Sequence, residues 1–249
     1  MTGATATAIA PGERFDRLDA LRALAIVWMA LYHFGFDLNF FGYLQPRQDV
    51  YRDPFWTVQR TMIVSLFLFC AGMGQAVALQ AGQTWQRFWR RWAQIAVCAL
   101  LVSAGSALMF PRSWIGFGVL HGIAVMLIAV RLTGGWGRWL WPLGALAIAA
   151  PWVLADPMFN GPWGHWTGLV TRKPITEDWV PVLPWLGVIW WGCAAGQWLL
   201  VHRRHWLSGP VPKALAPAAT LGRWSLSFYM LHQPVLIGAI LAWRASAAA

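Results

Sequence analysis

Charge is scarce in this 249-residue chain, in which Asp, Glu, Lys and Arg together make up 11% of the residues and only nine are acidic. Cysteine is also rare. The three cysteines, Cys70, Cys98 and Cys193, have no CxxC spacing and no grouping with histidine, which excludes a cysteine-based metal site. Repeats, low-complexity linkers and heptads are lacking too, which excludes a repeat array and a coiled coil. We predict no metal and expect the cysteines to be small core residues.

Hydrophobic residues, in contrast, make up 58% of the chain, which has 20 tryptophans and a mean hydropathy of +0.50. This composition indicates an integral membrane protein, because several apolar runs are long enough to cross a hydrocarbon core of about 30 Å as a helix. The predicted spans are 20–41, 57–80, 92–110, 114–132, 138–155, 183–201 and 220–243. We therefore predict an all-α, polytopic membrane protein of about seven transmembrane helices. A single domain over 17–244 is expected between a cytoplasmic tail at 1–16 and a C-terminal tail at 245–249.

Basic residues set the predicted orientation. The formal net charge is +10 and the isoelectric point is near 10.8. Lys and Arg concentrate in short cytoplasmic loops and meet anionic lipid headgroups there, so this charge is explained without nucleic acid, which we exclude as a partner. The N-terminus is predicted to be cytoplasmic. No basic n-region precedes the first apolar run, which is expected to serve as a signal anchor.

The longest predicted connection is residues 156–181, an irregular loop that we expect on the outer side. Its aromatic and basic residues fit two interpretations: a lid that binds a sugar or an anion, or an interfacial tryptophan belt with cations that extend to the membrane surface. Those residues are Trp163, His165, Trp166, Arg172 and Lys173.

Three histidines fall inside predicted spans: His33, His121 and His232. At about 1.5 Å of rise per residue, all three lie about 10–14 Å below the outer membrane surface. Asp37 follows His33 by four residues, so both side chains share a helix face and the carboxylate can orient the imidazole. Such a pair is suited to general-base chemistry. His121 and His232 can equally be satisfied partners in hydrogen bonds between helices.

Several ordered motifs carry a family resemblance. Residues 17–25 read RLDALRALA and are followed by Met29, Tyr32-His33-Phe34 and Asp37. The further motifs are 67–72 (FLFCAG), 116–121 (GFGVLH), 180–187 (VPVLPWLG), 221–226 (LGRWSL) and 229–234 (YMLHQP). Together they resemble bacterial membrane proteins related to heparan-alpha-glucosaminide N-acetyltransferase, the group labelled DUF1624 in the transmembrane acyltransferase superfamily. Ala23 departs from the glycine usual there. His33 stands at an asparagine position of the lysosomal enzyme, whose catalytic histidine comes from the following loop.

The resemblance implies a multi-pass protein of the bacterial inner membrane that moves an acetyl group from cytoplasmic acetyl-CoA to an amine or hydroxyl of an extracytoplasmic, saccharide-type acceptor. His33 is then the natural base, with Asp37 as its orienting group, and direct transfer is preferred to an acetyl-enzyme. Residues expected to position the acceptor or stabilise the oxyanion are Gln59, Arg60, His121 and His232. Residues expected to hold the phosphates of acetyl-CoA are Arg17, Arg22, Arg87, Arg90 and Arg91. A homodimer is compatible with the small-residue helix faces.

Alternatives remain open from the sequence. A small proton-coupled transporter or channel could use the same histidines and Asp37 as a relay, although no inverted repeat is visible. A structural subunit could use them only to fix helix packing. The arginines could serve membrane orientation alone, and Asp19 could simply pair with Arg22.

Overall fold

The computed structural model describes residue 9 and residues 13–247, and in this part of the chain it is helical, with no strand. The all-α class is therefore confirmed. The α-helices are α1 (Asp16–Phe40), α2 (Pro54–Gln80), α3 (Trp85–Met109), α4 (Val119–Thr133), α5 (Leu140–Leu154), α6 (Val182–His202), α7 (Ala216–Arg223) and α8 (Ser225–Ala247). Each of the first six predicted spans corresponds to one helix, and the seventh is divided between α7 and α8.

Within the described residues, five stretches are long and apolar enough to cross a membrane. They are α1, α2, α3, α8 and the single stretch Val119–Leu154, which contains α4, a 3-10 segment (Gly134–Trp139) and α5. Gly137 interrupts this stretch with a positive φ of 55°, a conformation that glycine adopts without steric cost. The 21-residue α6 is not among the five, because glycines, tryptophans and Gln197 lower its mean hydropathy. The predicted count of seven is thus approximate.

Two helix starts differ from the predicted ones for local reasons. Helix α3 begins at Trp85 instead of residue 92, because the Thr84 side chain accepts a hydrogen bond from the Arg87 N–H (3.4 Å) and caps the first turn. Helix α4 begins at Val119 instead of residue 114. The residues before it form turns, and Gly118 is the N-cap.

The described chain forms two compact units. The terminal unit comprises residues 15–67 and 209–247, and so contains α1, the first half of α2, α7 and α8. The central unit comprises residues 68–208 with Glu13 and Arg14. The expectation of one domain over 17–244 stays a prediction. Residues 1–8, 10–12 and 248–249 of the two expected tails lie outside the described residues.

In the terminal unit, α1 packs against both α7 and α8. The buried centre of this packing is Ile26, Met29 and Ile63, with aromatic side chains of α1, α2 and α8 around it. Gly222 of α7 lies against the backbone of Asp19, where a Cβ would come within 2.6 Å of the Asp19 carbonyl carbon and closer still to its oxygen. Nearby, Arg223 pairs with Asp16 at 3.4 Å. Helix α7 is therefore held closely against the start of α1.

In the central unit, α6 packs against α5, α4 and the second half of α2. Gly144 and Gly187 let the backbones of α5 and α6 approach each other, and Gly72 and Gly192 do the same for α2 and α6. Cys70 and Cys193 are fully buried in this unit, and Cys98 is half-buried. The connection between α5 and α6 is irregular, as predicted, apart from two short 3-10 turns (Pro157–Asn160 and His165–Thr167).

Candidate active site

Two of the three intramembrane histidines meet within the terminal unit. The rings of His33 on α1 and His232 on α8 lie edge to face, with centroids 5.2 Å apart and planes 70° apart. His33 is half-buried and forms no hydrogen bond with the described residues. Both nitrogens of this imidazole are therefore without a hydrogen-bond partner among the described residues.

His232 is more constrained than His33. Its side chain is 9% exposed and stacks on Phe228, with ring centroids 6.2 Å apart. Its Nδ1 lies 2.6 Å from the carbonyl oxygen of Tyr229. A carbonyl oxygen only accepts hydrogen bonds, so Nδ1 must carry the proton, and the neutral ring then has its lone pair on Nε2. This Nε2 is buried and has no hydrogen-bond partner in the described part of the chain.

Asp37 is 3% exposed and binds α8, not His33. Its Oδ1 accepts a hydrogen bond from Nε2 of Gln233 (2.8 Å), whereas its Oδ2 is buried and unbonded among the described residues. The expected orientation of His33 by a direct bond to Asp37 needs correction, because the amide of Gln233 takes the carboxylate instead. Sequence reasoning missed Gln233, although its position directly after His232 in the motif at 229–234 was a usable signal.

Gln59 and Arg60, on the first half of α2, differ in the hydrogen bonds that their side chains form. Gln59 accepts a hydrogen bond from the indole N–H of Trp28 (3.1 Å) and donates to the carbonyl of Phe55 (3.2 Å), so its amide oxygen links α2 to α1 and its amide nitrogen bonds within α2. Arg60 is half-buried and interacts electrostatically with Tyr32, but it forms no hydrogen bond or ion pair with the described residues. Arg60 is therefore the more available of the two.

His121, in the central unit, is fully engaged. Its Nδ1 accepts the N–H of Gly118 (3.2 Å) at the start of α4, and its Nε2 lies 3.1 Å from Oγ of Ser103. The Ser103 hydroxyl donates to the carbonyl of Ile115 (2.6 Å) and so accepts from Nε2–H of His121. Both nitrogens are satisfied, which favours the structural alternative for this histidine. Its tautomer is the opposite of that of His232.

The five arginines expected to hold phosphate lie at helix starts. Arg17 is exposed, whereas Arg22 pairs with Asp19 at 2.6 Å, as the structural alternative anticipated. Arg87, Arg90 and Arg91 are exposed in the first turns of α3, where Arg91 also donates to Gln94 (3.0 Å). Their role in holding phosphate stays a prediction.

The connection between α5 and α6 carries strongly exposed aromatic residues. Trp163 is 93% exposed, and the indole of Trp166 donates to its carbonyl (2.9 Å). His165 is half-buried; its carbonyl accepts the indole N–H of Trp179 (3.2 Å), and its Nδ1 is buried without a hydrogen-bond partner in the residues described. Burial lowers the pKa of His165 from its ordinary value of 6.5.

Comparison with protein families decides the affiliation of the chain. Residues 14–234 match the model of the family described as heparan-alpha-glucosaminide N-acetyltransferase, catalytic. The chain belongs to this family. Comparisons with curated proteins and with solved structures gave no significant match.

The match to the heparan-alpha-glucosaminide N-acetyltransferase family begins two residues before α1 and ends just after Gln233 of α8. It therefore includes both histidines of the contact, Asp37 and Gln233. Membership confirms the resemblance stated from the motifs and assigns the chain to a family of transmembrane acetyltransferases. The family membership and the long apolar helices agree on a membrane protein. The roles of individual residues stay predictions.

Proposed function

We propose that this protein, in the bacterial inner membrane, transfers an acetyl group from cytoplasmic acetyl-CoA to an amine or hydroxyl of an extracytoplasmic, saccharide-type acceptor. The observation that carries the proposal is His33 within the family-matched region: a half-buried imidazole on an apolar helix that has no hydrogen bond to the described residues. An imidazole is costly to bury without a partner, and such residues within membrane spans are commonly functional. A histidine of this kind suits a general base whose missing hydrogen-bond partner is supplied by the bound substrate.

In the proposed reaction, His33 acts as general base. It removes a proton from the acceptor amine or hydroxyl while that nitrogen or oxygen forms a bond to the acetyl carbonyl carbon. The carbon–sulfur bond breaks, the thiolate of CoA leaves, and the proton held by His33 is returned to it. Arg60 supports this scheme, because its guanidinium has no ion-pair partner in the described chain and could stabilise the oxyanion in a poorly solvated site.

The donor is proposed to bind with its phosphates at the start of α1. Arg17 and Arg22 precede His33 by 16 and 11 residues, which corresponds to about 24 and 17 Å along the helix axis at ~1.5 Å per residue. A flexible pantetheine arm laid along α1 would bring the thioester toward His33. The exposed arginines at the start of α3, which belong to the central unit, are an alternative place for the phosphates. Gly72 of α2 packs against the backbone of α6 and leaves no room for the arm at that position.

The test is acetyl transfer by purified protein in lipid nanodiscs, with radiolabelled acetyl-CoA and amino-sugar or hydroxyl acceptors. His33→Ala should abolish transfer and leave acetyl-CoA affinity within a few-fold, because the base acts at the acetyl end of the donor. His202→Ala, at an exposed histidine that bonds the carbonyl of Trp198 (3.0 Å), is the matched control and should retain activity. Transfer by His33→Ala at the wild-type rate would refute the assignment.

A proton-coupled transporter or channel is the second candidate, favoured by the ring contact between His33 and His232 and by the buried Asp37 carboxylate. Liposomes that contain the protein separate the two functions. A proton flux without acetyl-CoA, together with no acetyl transfer, supports the relay. Transfer that depends on acetyl-CoA, without basal proton flux, supports the enzyme.

A further inference from the structure

Buried hydrogen-bond acceptors occur on α1 and α8, the two helices whose His33 and His232 rings meet. Oδ2 of Asp37, Oε1 of Gln233 and Nε2 of His232 are all buried and have no hydrogen-bond partner among the described residues. A buried acceptor without a partner costs about 1–3 kcal/mol, so each of these atoms is expected to have a use. His33 has an N–H without a hydrogen-bond partner among the described residues, and its ring contacts that of His232.

His232 is the best placed of these acceptors to receive that N–H. Its ring is anchored on α8 through Nδ1 and the carbonyl of Tyr229 and is flanked by Phe228. The anchored edge faces its own helix backbone, so Nε2 lies on the far side of the ring. The His33 ring contacts this imidazole at 5.2 Å between centroids. Catalytic hydrogen bonds are often longer before substrate binds and shorten in the reactive complex.

Asp37 is less well placed, because its carboxylate is held by Gln233 at 2.8 Å and forms no bond to His33. The Asp37–Gln233 bond instead ties α1 to α8 at the residue next to His232. It keeps the two helices in the register at which the imidazoles meet. The other titratable or charged side chains of α1, α2 and α8 around the pair are Tyr32, Arg60 and Tyr229.

We propose that His232 is the positioning residue of the reaction: its Nε2 accepts a hydrogen bond from His33 and thereby fixes the tautomer of the base. A neutral imidazole has one N–H, so donation of this group to His232 leaves the lone pair on the other nitrogen of His33. That nitrogen then faces the acceptor and takes its proton. Asp37 and Gln233 hold the two helices together. The inference rests on the proposed acetyl transfer.

Two variants of His232 test the role in catalysis. His232→Leu removes the acceptor and should lower kcat about 100-fold or more, with little change in KM, because an unoriented general base forfeits much of a ~10²–10⁴-fold effect. His232→Gln retains a side-chain oxygen that can accept from His33 and an amide that can donate to Tyr229. It should recover kcat to within about 10-fold of wild type. Equal kcat for the Leu and Gln variants, or a wild-type kcat for the Leu variant, would overturn the proposal.

A readout independent of turnover separates this inference from the proposed function. In ¹⁵N-histidine-labelled protein, NMR should show His232 protonated at Nδ1 and His121 protonated at Nε2. His33→Gln should shift the Nε2 resonance of His232 and leave His121 unchanged. Observation of His232 protonated at Nε2, or no response to His33→Gln, would overturn the positioning role. Correct tautomers in a protein without acetyl transfer would refute the proposed function instead.

Discussion

Gly222→Ala is expected to destabilise the terminal unit by displacing α7 from the start of α1. A Cβ at this position would lie 2.6 Å from the carbonyl carbon and 3.1 Å from the Cα of Asp19, and both atoms belong to the backbone of a long helix. Neither atom can turn aside as a flexible side chain could. The two helices must therefore separate locally, which also weakens the ion pair between Asp16 and Arg223.

The expected cost follows from overpacking of a close contact, about 1–3 kcal/mol. At ~2–4 °C per kcal/mol for a chain of this size, the Tm should fall by about 2–12 °C. The 20 tryptophans provide an intrinsic fluorescence signal for thermal unfolding in detergent. The same variant should weaken acetyl-CoA binding if Arg17 and Arg22 hold the donor, because they lie on the displaced end of α1.

Gly238→Ala is the matched control in the same unit. A Cβ at Gly238, on α8, would have no atom of the described residues within 4 Å. Alanine is preferred to glycine in a helix by about 1 kcal/mol, so this variant should be as stable as wild type or slightly more stable. Equal unfolding temperatures for the two variants would refute the packing argument at Gly222.

Two further predictions concern buried polar groups. Gln233→Leu removes the hydrogen bond to the Asp37 carboxylate and should lower the free energy of unfolding by about 1–3 kcal/mol. The double variant with Asp37→Leu should recover most of that loss. Thermal unfolding of the single and double variants measures the coupling between the two residues. Burial lowers the pKa of His165, so the unfolded chain binds this proton more readily than the folded chain. The contribution of His165 to stability is therefore full above a pH of about 6.5 and is lost as the pH falls below that value. Proteolysis of the 156–181 connection should become faster below this pH. His165→Gln should abolish this pH dependence, and an unchanged pH dependence in the variant would contradict the assignment.

The helices were largely predictable, because an apolar run long enough to span a membrane has few alternatives to a helix. Errors arose at the ends of the helices, because local hydrogen bonds determine where each helix begins and ends. The cap from Thr84 adds two turns to α3 that composition alone assigned to a loop. The break at Trp224 divides the last predicted span, although no glycine or proline stands at that residue.

The candidate site was predictable in its residue types and only partly in its pairing. An intramembrane His33 with Asp37 on the same helix face indicated chemistry, yet the carboxylate is bound by Gln233 from a helix almost two hundred residues away. Pairing across helices depends on rotation and register, which hydrophobic periodicity leaves open. His121 and His232 looked alike in sequence, but one caps a helix and the other keeps a lone pair buried.

A single residue, Trp224, separates α7 from α8, so a movement of α7 would be passed directly to α8. Helix α7 is held against the start of α1 by Gly222 and Arg223, and Trp224 joins it directly to the helix that carries His232. We therefore expect a ligand that shifts Arg17 or Arg22 to shift α8 as well. We expect binding of the donor at one end of the unit to adjust the imidazoles at the other, so that an acceptor is activated only when there is an acetyl group to receive.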